Sequence, residues 1–403
     1  MSIFLKNSIL DFFRIYENYI LNKIAKNLHS QKTEFNLICS INLKLYFLTK
    51  YFIFNRGFIF IDNKIIDLLL QSLNKSIQHS ELRIFLEGTK YKINFYLILY
   101  DFLRYFGLYY SALPFRDKAI DIALMIKDDS SKDYLKYYIP AIIEKRKYDQ
   151  LKKIVSNTDF DHKNSAFRDF FTQIIERKIE IRTNSNFSEF INSRKIAIVT
   201  PGSSKNNDGK EIDSYDIVVR FNKINTSDID TQRYGHKINI TYTNNENTKA
   251  ILDSLRKGVS ITSNFICFRS KRYFASFPKD TKEHKNIRFI DNYNNLCFHQ
   301  SFNLLQLALL DILFNGRPEE VKIYKSDIML SFARAENYLY PGHPAAKDGI
   351  RSFNFSKHDP ISNFIFLKNF YHIGLFKADK RMEKVLDMSV SKYCQEMQKI
   401  YSN

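Results

Sequence analysis

The segment PGSSKNN, residues 201–207, follows an apolar β-type run that ends at Thr200. Its residue types suit an anion. Glycine opens backbone conformations closed to other residues, so successive N–H groups of Gly202, Ser203 and Ser204 can converge on one charge, assisted by two hydroxyls. Pro-Gly-Ser-Ser is also an ordinary turn. Farther along, His358 precedes Asp359: an imidazole that titrates near neutrality beside a carboxylate able to orient it, as general base catalysis requires. A solvated surface pair accounts for the same dipeptide. Two Asp-x-Asp triplets, Asp159-Phe160-Asp161 and Asp228-Ile229-Asp230, carry the pattern of metal-dependent sugar-nucleotide transferases, yet about one or two such triplets arise by chance at this aspartate content. The first falls in a helical region and the second in a polar loop, where solvated turn residues are the simpler account. No metal site is expected.

The elements that would position these groups divide the chain in two. Residues 1–185 carry helical periodicity. In SILDFFRIYENYILNKIAKNL, Ile9, Phe12, Phe13, Tyr16, Tyr19, Ile20 and Ile24 recur at steps of three and four behind a Ser8 N-cap. The stretches beginning at Phe115 and Tyr148 both start with an aromatic followed by an amphipathic helix, a spacing near that of helical repeats, although an irregular bundle fits as well. RTNSNFSEFINSR, residues 182–194, is polar and weakly patterned and reads as a connector. After it come the β-rich runs KIAIVT, DIVVRF, KINITYT, NFICFR and IRFID, then a helix from Asn303 and another strand in EVKIYKSD. Several runs are apolar on both faces, which predicts an α/β domain over residues 190–403 with a mostly parallel, Rossmann-like sheet behind an all-helical domain over 1–185. In such sheets ligands bind outside the carboxyl ends of the strands, where strand order reverses.

GKEIDSYDIVVRFNK, residues 209–223, resembles the large sialylmotif of animal-type sialyltransferases, glycosyltransferase family 29, at Gly209, Glu211, Ile212, Asp213, Ser214, Asp216, Val218, Arg220 and Asn222. RYGHKINITYTNNE is similar to the family's next segment, and QSFNLLQLALLDILFNGRPEEVKIYKSD to its small sialylmotif. KHDPISNFIFLKNFYHIGLFKAD resembles the last motif, with His358 and Asp359 at its start, and His343 in YPGHPA stands where the third motif has its histidine. The resemblance covers about residues 195–380. It departs from the family at Thr200-Pro201-Gly202-Ser203, where Gly-Asn-Ser-Gly is usual, near Phe302 and Asn303, where a glycine is usual, and at Ile196, which replaces one cysteine of the family's disulfide.

The resemblance implies a variant of the glycosyltransferase A-type fold and an inverting transferase that needs no cofactor or metal. It would move an acidic sugar, sialic acid or Kdo, from a CMP-linked donor to a surface glycan or glycolipid. His358 would be the base and His343 would neutralise the leaving phosphate. Gly202, Ser203, Ser204, Asn222, Ser301 and Asn303 would bind the donor, the last two at a helix start that favours an anion and equally suits a plain N-cap. Arg220 is expected to pair with Asp213 or Asp216. Two other readings stay open: a metal-dependent UDP- or GDP-sugar transferase using Asp228 and Asp230, and a non-catalytic helical scaffold with a degenerate transferase domain.

A chain of 403 residues, 44% hydrophobic and 26% charged, excludes a disordered tail or a fibre. Its net charge of +18 is spread without a dense basic block, and no RNA-binding or zinc-finger signature appears, so no nucleic-acid partner is expected. Peripheral contact with an anionic inner membrane is consistent with that charge. Four cysteines without metal-ligand spacing fit a reducing cytoplasm. Lys6 and Asp11 interrupt any signal-peptide core, and Asp101 and Arg104 interrupt the most apolar stretch, residues 93–110, which is not expected to span a membrane.

Overall fold

The computed structural model describes residues 89–105, 107–126, 134–156, 167–168, 170–177, 186–223, 229–244, 247–248, 251, 253, 262–269, 287–291, 293–331 and 358–401. His343, Asp228, Cys39, the Asp159-x-Asp161 triplet and the helical pattern of residues 8–28 lie outside them.

Seven strands form one parallel sheet: β1 (Lys195–Val199), β2 (Ile217–Phe221), β3 (Ile240–Thr243), β4 (Phe265–Phe268), β5 (Ile287–Phe289), β6 (Glu320–Tyr324) and β7 (Lys377–Ala378). Every residue of β2, β3 and β4 is buried, as expected of parallel strands covered by helices on both faces. The spatial order is β5-β4-β3-β2-β1-β6-β7. The chain therefore moves outward from β1 on one side and returns to β6 on the other, with Ile196 of β1 in register with Ile217 and Val321. This is a Rossmann-like α/β sheet, and its topological switch point lies between β1 and β6.

Two crossover helices set the rim above the sheet. The helix Leu304–Asn315 is buried from Gln306 to Phe314, so it belongs to the core on every face, and it feeds β6. Pro360–His372 feeds β7. Because each precedes a parallel strand, both start at the carboxyl edge, which brings residues 301–303 and 358–359 to the side where the loops after β1 to β4 emerge.

Helices Thr89–Tyr105, Tyr109–Ala123, Ile139–Glu144 and Tyr148–Val155 precede the sheet, and their buried side chains share one continuous apolar core with it. The Tyr148 helix begins where the sequence predicts. The helix expected from Phe115 begins earlier, at Tyr109, with Pro114 inside it. The polar stretch read as a connector holds a short helix, Asn186–Ile191, because Phe187 and Phe190 both pack on Phe265 of β4, with ring centroids 5.2 Å apart in each pair. The apolar run at 93–110 is broken by a turn at Gly107, and among the described residues no helix is long and apolar enough to cross a membrane. Cys267, Cys297 and Cys394 are buried free thiols.

Candidate active site

At the end of β1, Gly202 does not adopt the left-handed backbone that its residue type allows; its role is close approach. A Cβ there would lie 2.0 Å from the Lys325 carbonyl oxygen at the end of β6. Gly202→Ala should therefore destabilise the protein by about 1–3 kcal/mol, since a backbone atom, unlike a side chain, cannot rotate away. A urea midpoint equal to that of the parent would contradict this contact.

The donors of this loop are partly committed. The Ser204 N–H donates to the Tyr234 hydroxyl at 3.2 Å, and that hydroxyl donates to the Gly202 carbonyl at 3.1 Å. The Ser204 hydroxyl oxygen takes the Lys325 ammonium at 3.3 Å. Lys325 is fully buried, donates to the Asn206 carbonyl at 2.9 Å and pairs with Asp208. Arg381 grips the Ser203 carbonyl and Asp327. Among the described residues the Ser203 N–H and hydroxyl have no partner, so of the three predicted donors Ser203 keeps both groups available to a ligand.

The residues that carry the large-motif resemblance hold one another. Gly209 allows its short helix to touch the backbone of Thr231 and Gln232. Gly235 has φ +72° and sits against the Asp213 carboxylate, which accepts the backbone N–H groups of His236 and Lys237. Arg220 forms no ion pair with Asp213 or Asp216. Its guanidinium donates to the carbonyls of Lys237, Tyr234 and Gly235 at 2.8, 2.6 and 3.0 Å, and burial lowers its pKa to about 10. Asn222, φ +57°, ends β2, and its side-chain oxygen accepts the Asn244 N–H at the end of β3 at 3.0 Å. Asp230 caps the helix Thr231–Tyr234 and pairs with Arg233 at 3.1 Å. Among the described residues no cluster of His, Cys, Asp and Glu could hold a metal ion.

His358 is set by Ser301. Its Nδ1 lies 3.0 Å from the Ser301 hydroxyl oxygen and 3.2 Å from the Ser301 carbonyl oxygen. A carbonyl only accepts, so with the proton on Nδ1 both Ser301 oxygens are served and the neutral ring's lone pair falls on Nε2. The Arg269 guanidinium, just past β4, donates to the same hydroxyl and to the Phe302 carbonyl, both at 3.3 Å. Asn303 joins through Asn363, whose side-chain oxygen accepts the Asn303 N–H at 2.8 Å while its amide donates to the Ser301 and Asp359 carbonyls. The Asn303 side chain makes no capping bond to its helix.

Asp359 does not orient His358. It caps the helix Pro360–His372, accepting from the N–H groups of Ile361 and Ser362, and it also takes Tyr100, Ser362 and Arg116. Burial pushes its pKa up, but Arg116, Arg104 and His299 outweigh that and hold the carboxyl well below the usual range.

The structure thus joins Ser301, Asn303 and His358 directly, while Gly202, Ser203 and Ser204 sit at the β1 end and Asn222 between the two groups. Three strand spacings, about 14 Å, separate the ends of β4 and β1. Sequence reasoning missed Lys325, Arg269 and the pair of Asp101 with His299, whose Nε2 lies 2.9 Å from the Asp101 carboxylate across 198 residues of chain. A buried lysine just past an apolar strand was the only local signal among them.

Comparison with known proteins gives little direct kinship. No family model matches this chain, and no curated protein matches it. Among solved structures, a mammalian sialyltransferase matches with 14% identity and a TM-score of 0.32, covering 59% of this chain and 85% of that one.

Proposed function

We propose that the protein is an inverting glycosyltransferase that uses a CMP-linked acidic sugar, sialic acid or Kdo, and a glycan or glycolipid acceptor, with His358 as general base. The observation that supports this reading is the Ser301 contact, which in the Nδ1–H tautomer puts the ring's lone pair on Nε2 at the carboxyl edge of a Rossmann-like sheet. The sialylmotif resemblance of residues 195–380 supplies the donor class. In the reaction the acceptor oxygen bonds to the anomeric carbon and its proton passes to Nε2. The bond from that carbon to the phosphate oxygen breaks with its electron pair on CMP. The nucleotide lies along the row from Ser203 past Asn222 towards Ser301, with its phosphate at the Ser301 end beside His358 and its nucleoside reaching the Ser203 N–H and hydroxyl. His343, outside the described residues, is proposed to neutralise the same phosphate.

The test is thermal unfolding in CMP, UMP and GMP. A ligand that binds only the native state raises the midpoint, so CMP alone should stabilise the protein, by about 2.7 kcal/mol at a hundred times its dissociation constant. Equal stabilisation by all three nucleotides, or none, sinks the donor assignment. Turnover abolished by a chelator would instead favour the metal-dependent UDP- or GDP-sugar reading. No turnover with any donor would favour the scaffold.

A further inference from the structure

Beside His358 two oxygens, Gln300 Oε1 and Asp101 Oδ2, have no hydrogen-bond donor among the described residues. The first is the amide oxygen of Gln300. Its Nε2 donates to the Asp101 carboxylate at 3.3 Å, and because a carboxylate at this site only accepts, that contact sets which way the amide points. The Oε1 atom on its other side is buried and has no partner. The second is Asp101 itself. Oδ1 receives Arg104 at 2.7 Å, His299 at 2.9 Å and Gln300 at 3.3 Å, whereas Oδ2 receives nothing among the described residues. Burial raises the pKa of Asp101, but His299 and Arg104 lower it by more, so the group stays ionised. Its side chain is 26% exposed, so a ligand can reach it.

Both acceptors belong to the place where the base is built. Gln300 and Ser301 each form a β-bridge with His358, and Arg104, one turn after Asp101 on the helix Thr89–Tyr105, donates to the His358 carbonyl at 3.0 Å. Gln300 is held at φ +59°, a left-handed backbone that costs a non-glycine residue about 1–3 kcal/mol. An unpartnered buried acceptor also costs about 1–3 kcal/mol. A strained residue whose buried oxygen awaits a donor is accounted for by a ligand hydroxyl.

We infer that Asp101 and Gln300 form a subsite for two neighbouring hydroxyls of a neutral sugar acceptor, one of which is thereby held next to His358. Two acceptors require a ligand rich in O–H donors and leave a ligand carboxylate, which only accepts, without a partner. The subsite therefore selects a neutral vicinal diol over an acidic sugar end. Asp101 comes from a helix that precedes the sheet, so that helix contributes a specificity-determining side chain.

This inference rests on the transferase reading, but its test is separate because it reads acceptor binding without any donor. Saturation-transfer NMR on the full chain should detect a methyl hexoside such as methyl glucoside at millimolar concentration and should not detect methyl glucuronide. Asp101→Asn should weaken hexoside binding roughly tenfold to a hundredfold, the range for a hydrogen bond to a charged group, and should reduce the discrimination against glucuronide. Gln300→Asn, a residue type that tolerates φ above zero, keeps the charge and should also weaken the hexoside. Circular dichroism and a cooperative thermal transition confirm that each variant is folded. Glucuronide bound as tightly as glucoside, no hexoside binding by the parent, or two folded variants with unchanged affinity would each overturn the subsite. Failure of CMP selectivity with the subsite intact overturns the donor reading alone.

Discussion

His358→Ala should lower turnover on a CMP-sugar donor by about a hundredfold to ten-thousandfold, the usual contribution of a positioned general base. The reason is local. In the proposed reaction Ser301 directs Nδ1 and Nε2 takes the acceptor's proton, and alanine leaves only water to do so. Nucleotide binding should persist, because the Ser203 loop at the end of β1 makes no bond to His358. The expected kinetic pattern is kcat and kcat/KM falling together, with the CMP-induced rise in unfolding temperature retained. Loss of that rise with kcat intact would reverse the assignment and make His358 a donor-binding residue.

The second large effect is on stability. Arg116 is fully buried, and its guanidinium holds Glu144 through two bonds of 2.6 Å, Asp359 at 3.3 Å and the Ser362 hydroxyl at 2.6 Å. Arg116→Met keeps most of the volume but strands two carboxylates in the interior. Removing one partner of a buried pair costs about 3–5 kcal/mol, even where replacing the whole cluster by apolar groups would be neutral. The pH dependence follows from Asp359, whose folded pKa lies below its unfolded value. In the parent its contribution is present above the unfolded pKa, near 4, and is lost as pH falls through the folded pKa. Without Arg116 much of the influence that depresses that pKa is gone, so the variant's deficit should be largest near pH 7 and should shrink below about pH 4 as acid protonates Asp359. Urea unfolding at pH 7 and about pH 3 measures both. A deficit under 1 kcal/mol at pH 7, or one that grows on acidification, would show that the cluster does not hold the cap in this way. The same cap fixes the chain just after His358, so the stable variants should also lose activity.

Much of this architecture was legible in local pattern. Several of the runs that became strands are apolar on both faces, which is a property of a few consecutive residues, and the helix from Asn303 announced itself by unbroken hydrophobicity. The order of motif-like residues from Gly209 to Asn222 was readable too, although their work is structural: Asp213, Arg220 and Gly235 hold a corner by bonds to backbone. Asn186–Ile191 was not readable as a helix, since its polar composition is overridden by two phenylalanines packing on β4. The close approach that requires a glycine at 202 was not readable for a similar reason, because the obstacle to a Cβ is a carbonyl more than a hundred residues away.

The sequence by itself determined most of the elements and their types, along with the imidazole and the glycine- and serine-containing loop that the proposed chemistry would use. Only the tertiary structure decided which groups meet: Ser301 rather than Asp359 beside His358, Arg116 against Asp359, and Asp101 with His299 and Gln300. Hydrophobic periodicity is written in neighbouring residues and survives reading in one dimension. Pairings across 57 to 243 residues depend on strand order and on which ends of the crossover helices share an edge, and no local spacing encodes either.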